Sequence, residues 1–264
     1  MPTLADPLMI VTDLDGSLLD HHTYSWEAAS LWVERLTAAN IPIVICSSKT
    51  SAEILPLQQS LGIEGAPFIA ENGAVVKFPF ADQTPEANRS YAQLCQGFHK
   101  LRQQHGFKFT GFADVTAHEV AEWTGLTPAD ATLARMREGS ESIIWRDSSE
   151  NFTTFQQLLS AAELTLVQGG RFWHVMEQGR GKGTALSALL RQFPHPQGLT
   201  RQTIGLGDGP NDAPMLDGVD YAVVIKGYSK NRVELTREDR DNIYYSSSYG
   251  PEGWSEGLTH FISG

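Results

Sequence analysis

The sequence predicts an α/β protein: a doubly wound parallel sheet with a second α/β unit inserted into it. Three observations point there. Short apolar runs alternate with amphipathic, helix-length stretches at both ends of the chain, the rhythm of strands joined by crossover helices. The middle of the chain breaks that rhythm, mixing helices with strands of alternating rather than continuous hydrophobicity. The 264 residues exceed one small domain and suffice for one to two, each with a buried core.

Taken in order, Leu8–Thr12 is a first strand, and Trp26–Ala39 has helical spacing through Trp26, Ala29, Val33 and Leu36. Ile41–Cys46 is a second strand and Ser51–Leu61 a second helix. The same alternation returns late in the chain with a helix over Gly183–Phe193 and a strand over Thr203–Leu206. A short helix over Asn211–Leu216, a strand over Tyr221–Ile225 and a last helix around Trp254–Ile262 complete it. Between about Asp82 and Glu177, helices are expected at Tyr91–His105, Ala117–Trp123, Ala129–Arg137 and Phe152–Ala162, and strands at Ser142–Trp145, Leu164–Gln168 and Arg171–Met176. The segment LTPAD is a helix start, with Thr127 as N-cap and Pro128 at the first helical position. These readings divide the chain into a core of residues 1–82 and 178–264 and an inserted unit of residues 83–177.

Composition limits the function. Hydrophobic residues make up 41% and charged residues 19%, which fits a globular chain and neither a disordered nor a fibrous one. No apolar run reaches the length of about 20 residues that spans a bilayer, and no basic segment precedes an apolar one at the N-terminus, so a cytoplasmic location without a membrane partner is expected. Cys46 and Cys95 lie far apart and outside any metal-binding spacing. A net charge of −11 argues against a nucleic-acid partner, and an anionic small molecule would need a local cationic pocket.

In open α/β sheets ligands bind beyond the carboxyl ends of the strands, and four such places carry chemistry. After the first strand, IVTDLDGSLLD presents Asp13 and Asp15, two residues apart and so on one side of an extended chain. After the second come Ser47, Ser48 and Lys49; GRGKGTAL puts Lys182 at a helix start; GLGDGPND presents Asp208, Asn211 and Asp212 around two glycines. Hard carboxylate oxygens from Asp13 and Asp208 suit Mg²⁺, which keeps waters for exchange with phosphate oxygens. Ser47, Lys182 and the amides of the Leu14–Gly16 turn are then candidates to hold a phosphate. On this reading the paired aspartates divide the work: one, tied to the cation, is the nucleophile, and its neighbour, without that bond, carries the proton. Two other matches fail. GLGDGPND has Pro210 in place of the third glycine of a dinucleotide fingerprint, and RGKGT lacks both the earlier glycine and the Ser or Thr directly after the lysine of a phosphate loop.

Together DLDGSLL, ICSSK, the lysine of RGKGTAL and GLGDGPND resemble the four motifs of the haloacid dehalogenase superfamily, whose core is Rossmann-like. The long insertion resembles its α/β cap, and AENGA, Ala70–Ala74, resembles members that carry one. Within the superfamily, SSKTSAEI and GGRFWHV are similar to mannosyl-3-phosphoglycerate phosphatases. Ser17 and Ser47 stand where many members have Thr and keep the hydroxyl. The resemblance implies that Asp13 attacks phosphorus, forming an aspartyl-phosphate, and that Asp15 protonates the leaving oxygen and later activates water. It implies Mg²⁺ held by Asp13, the Asp15 carbonyl and Asp208, with Asp212 behind them, and Ser47, Lys182 and Asn211 around the phosphate. It also implies a cap that closes over the site and selects the leaving group.

For substrate choice Arg171 is a candidate for a glycerate carboxylate, since its planar fork matches one. His174 is a candidate for sugar hydroxyls or else a packed residue, and Lys49 for the phosphate end. Glu71 and Asn72 are expected to face the cleft, with a turn-stabilising Asn as the alternative. His21 and His22 read as solvated, and Arg102, Arg135 and Arg146 as surface charges of the insertion. The function expected is Mg²⁺-dependent hydrolysis of mannosyl-3-phosphoglycerate to mannosylglycerate. The alternatives are hydrolysis of another sugar phosphate, a phosphotransferase of the phosphomannomutase kind and a non-catalytic sugar-phosphate-binding module.

Overall fold

Leu8–Thr12 (β1) is buried along its whole length, which an unbroken apolar strand can be only in the middle of a sheet covered on both faces. A computed structural model describes residues 1–78, 89–169 and 171–263 and places β1 there. The helices of the N-terminal part of the core are Ser30–Ala38 (α1) and Ser51–Leu61 (α2), and its further strands are Ile43–Cys46 (β2), Phe68–Ala70 (β3) and Val75–Lys77 (β4). The C-terminal part supplies Lys182–Gln192 (α7), Gln202–Gly207 (β9), Ala213–Leu216 (α8), Tyr221–Lys226 (β10), Ile243–Tyr249 (β11) and Gly250–Phe261 (α9). Their sheet runs β11-β10-β9-β1-β2-β3-β4, parallel throughout except where β4 turns back antiparallel on β3.

Alternation along β1 distributes the core. Leu8 and Ile10 pack with Trp32, Leu36, Ile54, Trp254 and Leu258 on the face covered by α1, α2 and α9. Met9 and Val11 pack with Leu186, Leu189, Met215 and Leu216 under α7 and α8. The Trp254 indole N–H donates to the Thr12 hydroxyl at 2.9 Å, and that hydroxyl donates to the Asp13 carbonyl at 2.6 Å, so α9 steadies the end of β1.

The inserted cap is built from Tyr91–His105 (α3), Phe109–Gly111 (β5), Ala117–Thr124 (α4), Pro128–Ala134 (α5), Ser140–Trp145 (β6), Ser149–Ala161 (α6), Leu164–Gln168 (β7) and Trp173–Glu177 (β8). Its sheet runs β5-β6-β8-β7, all antiparallel, and packs Ile143, Val175 and Leu164 against Phe98, Phe155 and Leu159 of α3 and α6. The expected boundary at residues 82 and 83 lies outside the described residues. Among the described residues no helix is long and apolar enough to cross a membrane.

Several elements depart from the sequence reading for local reasons. The helix expected from Trp26 begins at Ser30, after a 3-10 turn over Glu27–Ala29. The one expected to reach Arg137 ends at Ala134, which frees Arg137 to turn inward. Pro210 and Pro214 lack amide donors, and the expected short helix splits into a 3-10 turn over Pro210–Asp212 and α8. Strands β4 and β5 have only three residues each, and β11, at the sheet edge, is rich in Ser and Tyr, so none of them carries an apolar run.

Glu71 is the main difference. Instead of lining a cleft it has no exposed surface, and its carboxyl oxygens accept from the backbone N–H groups of Glu138, Gly139 and Ser140 and from the Ser140 hydroxyl, at 2.7 to 3.1 Å. The Arg137 guanidinium stands 3.8 Å away. Removing one partner from a buried, fully hydrogen-bonded group strands the others. Glu71→Ala is therefore expected to lower the unfolding free energy by about 3 kcal/mol or more, read from urea denaturation.

His174 is buried, its Nδ1 3.1 Å from the Ser142 hydroxyl; burial, then the positive charges of Arg137 and Lys182, push it down to about 3. Between pH 6.5 and about 3 the unfolded chain takes up a proton that the folded chain refuses, so this residue lowers stability as pH falls through that window and not above it. Thermal unfolding from pH 7 to pH 4 should show a shallower loss of Tm for His174→Asn than for the wild type; parallel curves would contradict this.

Candidate active site

Four strand ends and one helix start converge beyond the carboxyl edge of the core sheet. Asp13 follows β1, its amide bonded to the Leu206 carbonyl of β9 at 2.9 Å. Lys182 is the first residue of α7 and is 2% exposed; its ammonium donates to Asp13 Oδ1 at 2.7 Å and to Asp212 Oδ1 at 2.6 Å. Close backbone approach brings it there. A side chain on Gly73 would overlap the Gly181 backbone at 2.2 Å, so only glycine lets the turn after β3 lie against the start of α7.

Asp208 follows β9 and receives the Ser17 hydroxyl at 3.4 Å. The other oxygen of Asp212 accepts the amides of Asp208 and Gly209 at 3.1 and 2.9 Å, which orients it toward Lys182. Gly16, at φ +82°, lets the turn after β1 cross Asp208; a Cβ there would lie 2.6 Å from a carboxylate oxygen.

Two carboxylates thus share one ammonium, and a third, Asp208, lies beside them. Burial, then Asp212, pushes Asp13 up to about 7 against the pull of Lys182; burial, then Asp13 and Asp212, pushes Asp208 up to about 8. Burial works against the charge on Lys182, and the aspartates more than offset it, holding the ammonium above its usual value. Oxygens of Asp13, Asp208 and Asp212 lie within 4.8 Å of one another. An all-oxygen, negatively charged donor set of this kind fits a hard divalent cation.

Asp15 stands apart from the cluster, yet not without a cation. Its Oδ2 is 3.1 Å from the Lys49 ammonium, while its buried Oδ1 has no hydrogen-bond partner. The segment before α2 delivers Lys49 to it, a partner that the sequence pattern does not reveal. Lys49 is 3.7 Å from Glu53 and 5.4 Å from the centre of the Tyr24 ring. Burial opposes its charge, and Asp15 and Glu53 outweigh that, so it too is held above its usual value.

Ser47 is buried, its hydroxyl accepting the Lys49 amide at 3.3 Å. Ser48 is half-buried, and its carbonyl accepts from Arg137 at 3.4 Å. Asn72, at φ +57°, accepts from the Asn211 side chain at 3.1 Å, and its own buried amide nitrogen has no partner. Of the turn amides expected to bind phosphate, that of Gly16 is committed to the Leu19 carbonyl at 2.9 Å.

The structure brings Asp13, Asp15, Ser47, Lys49, Asn72, Lys182, Asp208, Asn211 and Asp212 to one end of the sheet. It does not bring Arg171 there by any contact: this exposed residue of the β7–β8 turn donates to the Trp123 and Thr124 carbonyls at the end of α4, where a cation meets the negative end of the helix dipole. Sequence reasoning missed Arg137. It is buried at the joint and bonded to Ser140 and Ser48, partners in two different units that no local pattern connects.

Two family models match successive parts of the chain: one described as haloacid dehalogenase-like hydrolase over residues 10–139, and one described as sucrose-6F-phosphate phosphohydrolase over residues 143–262. Among solved structures, a phosphatase of the haloalkanoate superfamily from Bacteroides thetaiotaomicron aligns at a TM-score of 0.68 with 18% identity, covering 97% of this chain and 96% of that one. A subclass IIB sugar phosphatase of the same superfamily aligns at 0.66 with 16% identity over 96% and 98%. The sucrose-phosphatase of Synechocystis sp. PCC6803, solved with sucrose and phosphate, aligns at 0.61 with 14% identity over 97% and 98%. At these identities the structures speak for the fold, a Rossmann-like core with a cap, while the family models span nearly the whole chain between them. With the carboxylate cluster at the expected strand ends, residues 10–139 are similar to haloacid dehalogenase-like hydrolases and residues 143–262 to sucrose-6F-phosphate phosphohydrolases.

Proposed function

We propose that the protein is a Mg²⁺-dependent phosphomonoester hydrolase of the cytoplasm that acts on sugar phosphates, with mannosyl-3-phosphoglycerate, cleaved to mannosylglycerate, as its substrate. The observation that carries the chemistry is the buried ammonium of Lys182 shared by Asp13 and Asp212, with a second aspartate, Asp15, two residues beyond the first. Pure binding of a phosphate does not call for such a cluster of carboxylates. The sugar-phosphate class is supported by the family model for sucrose-6F-phosphate phosphohydrolase and by the sugar phosphatases among the structural neighbours. The mannosyl compound rests on SSKTSAEI and GGRFWHV alone.

In this mechanism Asp13 attacks the phosphorus in line and the P–O bond to the leaving group breaks, giving an aspartyl-phosphate. Asp15, held beside it by Lys49, gives its proton to the departing oxygen and takes one from the water that then cleaves the acyl phosphate. Lys182 and Ser47 stabilise charge on the transferring group, and Asn72 and Asn211 place its oxygens. Asp13, Asp208 and the Asp15 carbonyl, with Asp212 behind them, would hold the metal, which supplies positive charge and Lewis acidity at the phosphate. The cap, taken as residues 83–177, covers the opening and chooses the leaving group.

The direct test is phosphate release from mannosyl-3-phosphoglycerate, glucosyl-3-phosphoglycerate, mannose phosphates and 3-phosphoglycerate. Preference for the mannosyl ester is expected, with Asp13→Asn reducing kcat by about a thousandfold or more, since it removes the nucleophile outright. Turnover spread evenly over the panel would retract the substrate and keep the chemistry. Lys182→Met should cost about two to three orders of magnitude in kcat, the scale of losing one preorganised charge stabiliser. Chelation should abolish activity and added Mg²⁺ restore it; full turnover after exhaustive chelation would remove the metal from the scheme.

A further inference from the structure

The turn after β1 does more than carry aspartates. His21 and His22, read from sequence as solvated, join an aromatic cluster. His21 stacks on Tyr228 with ring centres 4.9 Å apart, His22 meets the edge of the same ring at 5.1 Å, and Tyr228 stacks on Tyr249 at 4.5 Å. The Lys226 ammonium lies 4.5 Å from the Tyr249 ring centre. These rings are not core: Tyr228 is 48% and Tyr249 37% exposed, and both histidines are exposed, so the cluster presents aromatic surface to solvent.

The cluster borders the reaction centre. Gly227 packs so closely on Asp208 that a Cβ would fall 2.6 Å from its carbonyl oxygen and 3.1 Å from its carboxylate, and Tyr228 is the next residue. At the other end of the same turn Tyr24 lies over Lys49, the cation that holds Asp15. Tyr24 does so at φ +58°, a backbone conformation rare for an aromatic residue and kept only where surrounding structure imposes it. Asp20 imposes it: its Oδ1 accepts the amides of His22 and Thr23 and the Thr23 hydroxyl, at 2.8 to 3.0 Å. One hydrogen-bonded turn thus carries Tyr24 beside the Lys49–Asp15 pair and His21 and His22 beside Tyr228, the residue after the Gly227 that packs on Asp208.

We propose that His21, His22, Tyr228 and Tyr249 form a platform that stacks on the sugar ring of the substrate's leaving group. This rests on the sugar-phosphate reading above and adds to it the part of the core that binds the sugar. A hexose presents an apolar C–H face bordered by hydroxyls; flat rings with polar tips match such a face, and the histidine and tyrosine tips offer hydrogen bonds at its edge.

Mannosyl-3-phosphoglycerate and 3-phosphoglycerate differ by the mannosyl ring alone, which makes them the probes. Their dissociation constants are measured by calorimetry on full-length Asp13→Asn protein, with and without Tyr228→Ala or Tyr228→Phe. The preference for the glycosylated ester, the ratio of the two constants, is expected to fall about tenfold in Tyr228→Ala, the upper scale of one aromatic contact, and to be largely kept in Tyr228→Phe. A ratio unchanged in Tyr228→Ala overturns the platform, as does a background protein that binds both esters equally. Phosphate release by the wild type is scored separately. Turnover without ring preference removes the platform and leaves the phosphatase, whereas Tyr228-dependent ring binding without turnover of any ester leaves the platform and removes the phosphatase.

Discussion

Everything at the working end of this protein depends on one buried ammonium. Lys182 lies between Asp13 and Asp212, with Asp208 close enough to share a cation with both. Gathering carboxylates out of water is costly, and one lysine does not balance them, which is why Asp13 and Asp208 are pushed upward. The fold meets this cost elsewhere, in the apolar layers on both faces of the sheet. What results is a site short of positive charge and suited to a divalent metal and a phosphate.

The same constraint shapes the backbone around it. Lys182 can stand so deep because the turn after β3 lies against Gly181 with no side chain between them. That turn carries Glu71 and Asn72 in left-handed conformations unusual for residues other than glycine. Glu71 is compensated by its hydrogen bonds from the start of β6, and Asn72 by the contact of its side chain with Asn211. Strain in the turn is thus coupled to the joint between core and cap: Arg137, from the cap, touches both the Glu71 region and the Ser48 carbonyl of the loop after β2.

The two lysines at the site are not equivalent. Lys182 is enclosed and contacts the carboxylates that would surround the phosphate, whereas Lys49 is reached from the rim and contacts the aspartate proposed to carry the proton. A pair of aspartates two residues apart can therefore have different partners, although they lie at the end of one strand. Each has its own ammonium, and the two differ in depth, Asp13 being buried and Asp15 partly exposed.

By itself the sequence determined the α/β class, the parallel core and the positions of Asp13, Asp15, Lys182 and Asp208 at strand and helix ends, because these follow from local periodicity and from the rule that such sheets bind ligands at their carboxyl edge. It also placed α3 and β7 at their observed bounds, since each carries an uninterrupted pattern. Only the tertiary structure decided that Glu71 is a buried joint rather than a cleft residue, that Arg137 reaches Ser48, that Lys49 belongs to Asp15, and that His21 stacks on Tyr228 while His22 meets it edge-on. Each of these is a contact between segments far apart in the chain, or between a turn and a distant loop. No periodicity records such partners, because a side chain's burial and its nearest charge depend on what the rest of the chain brings to it.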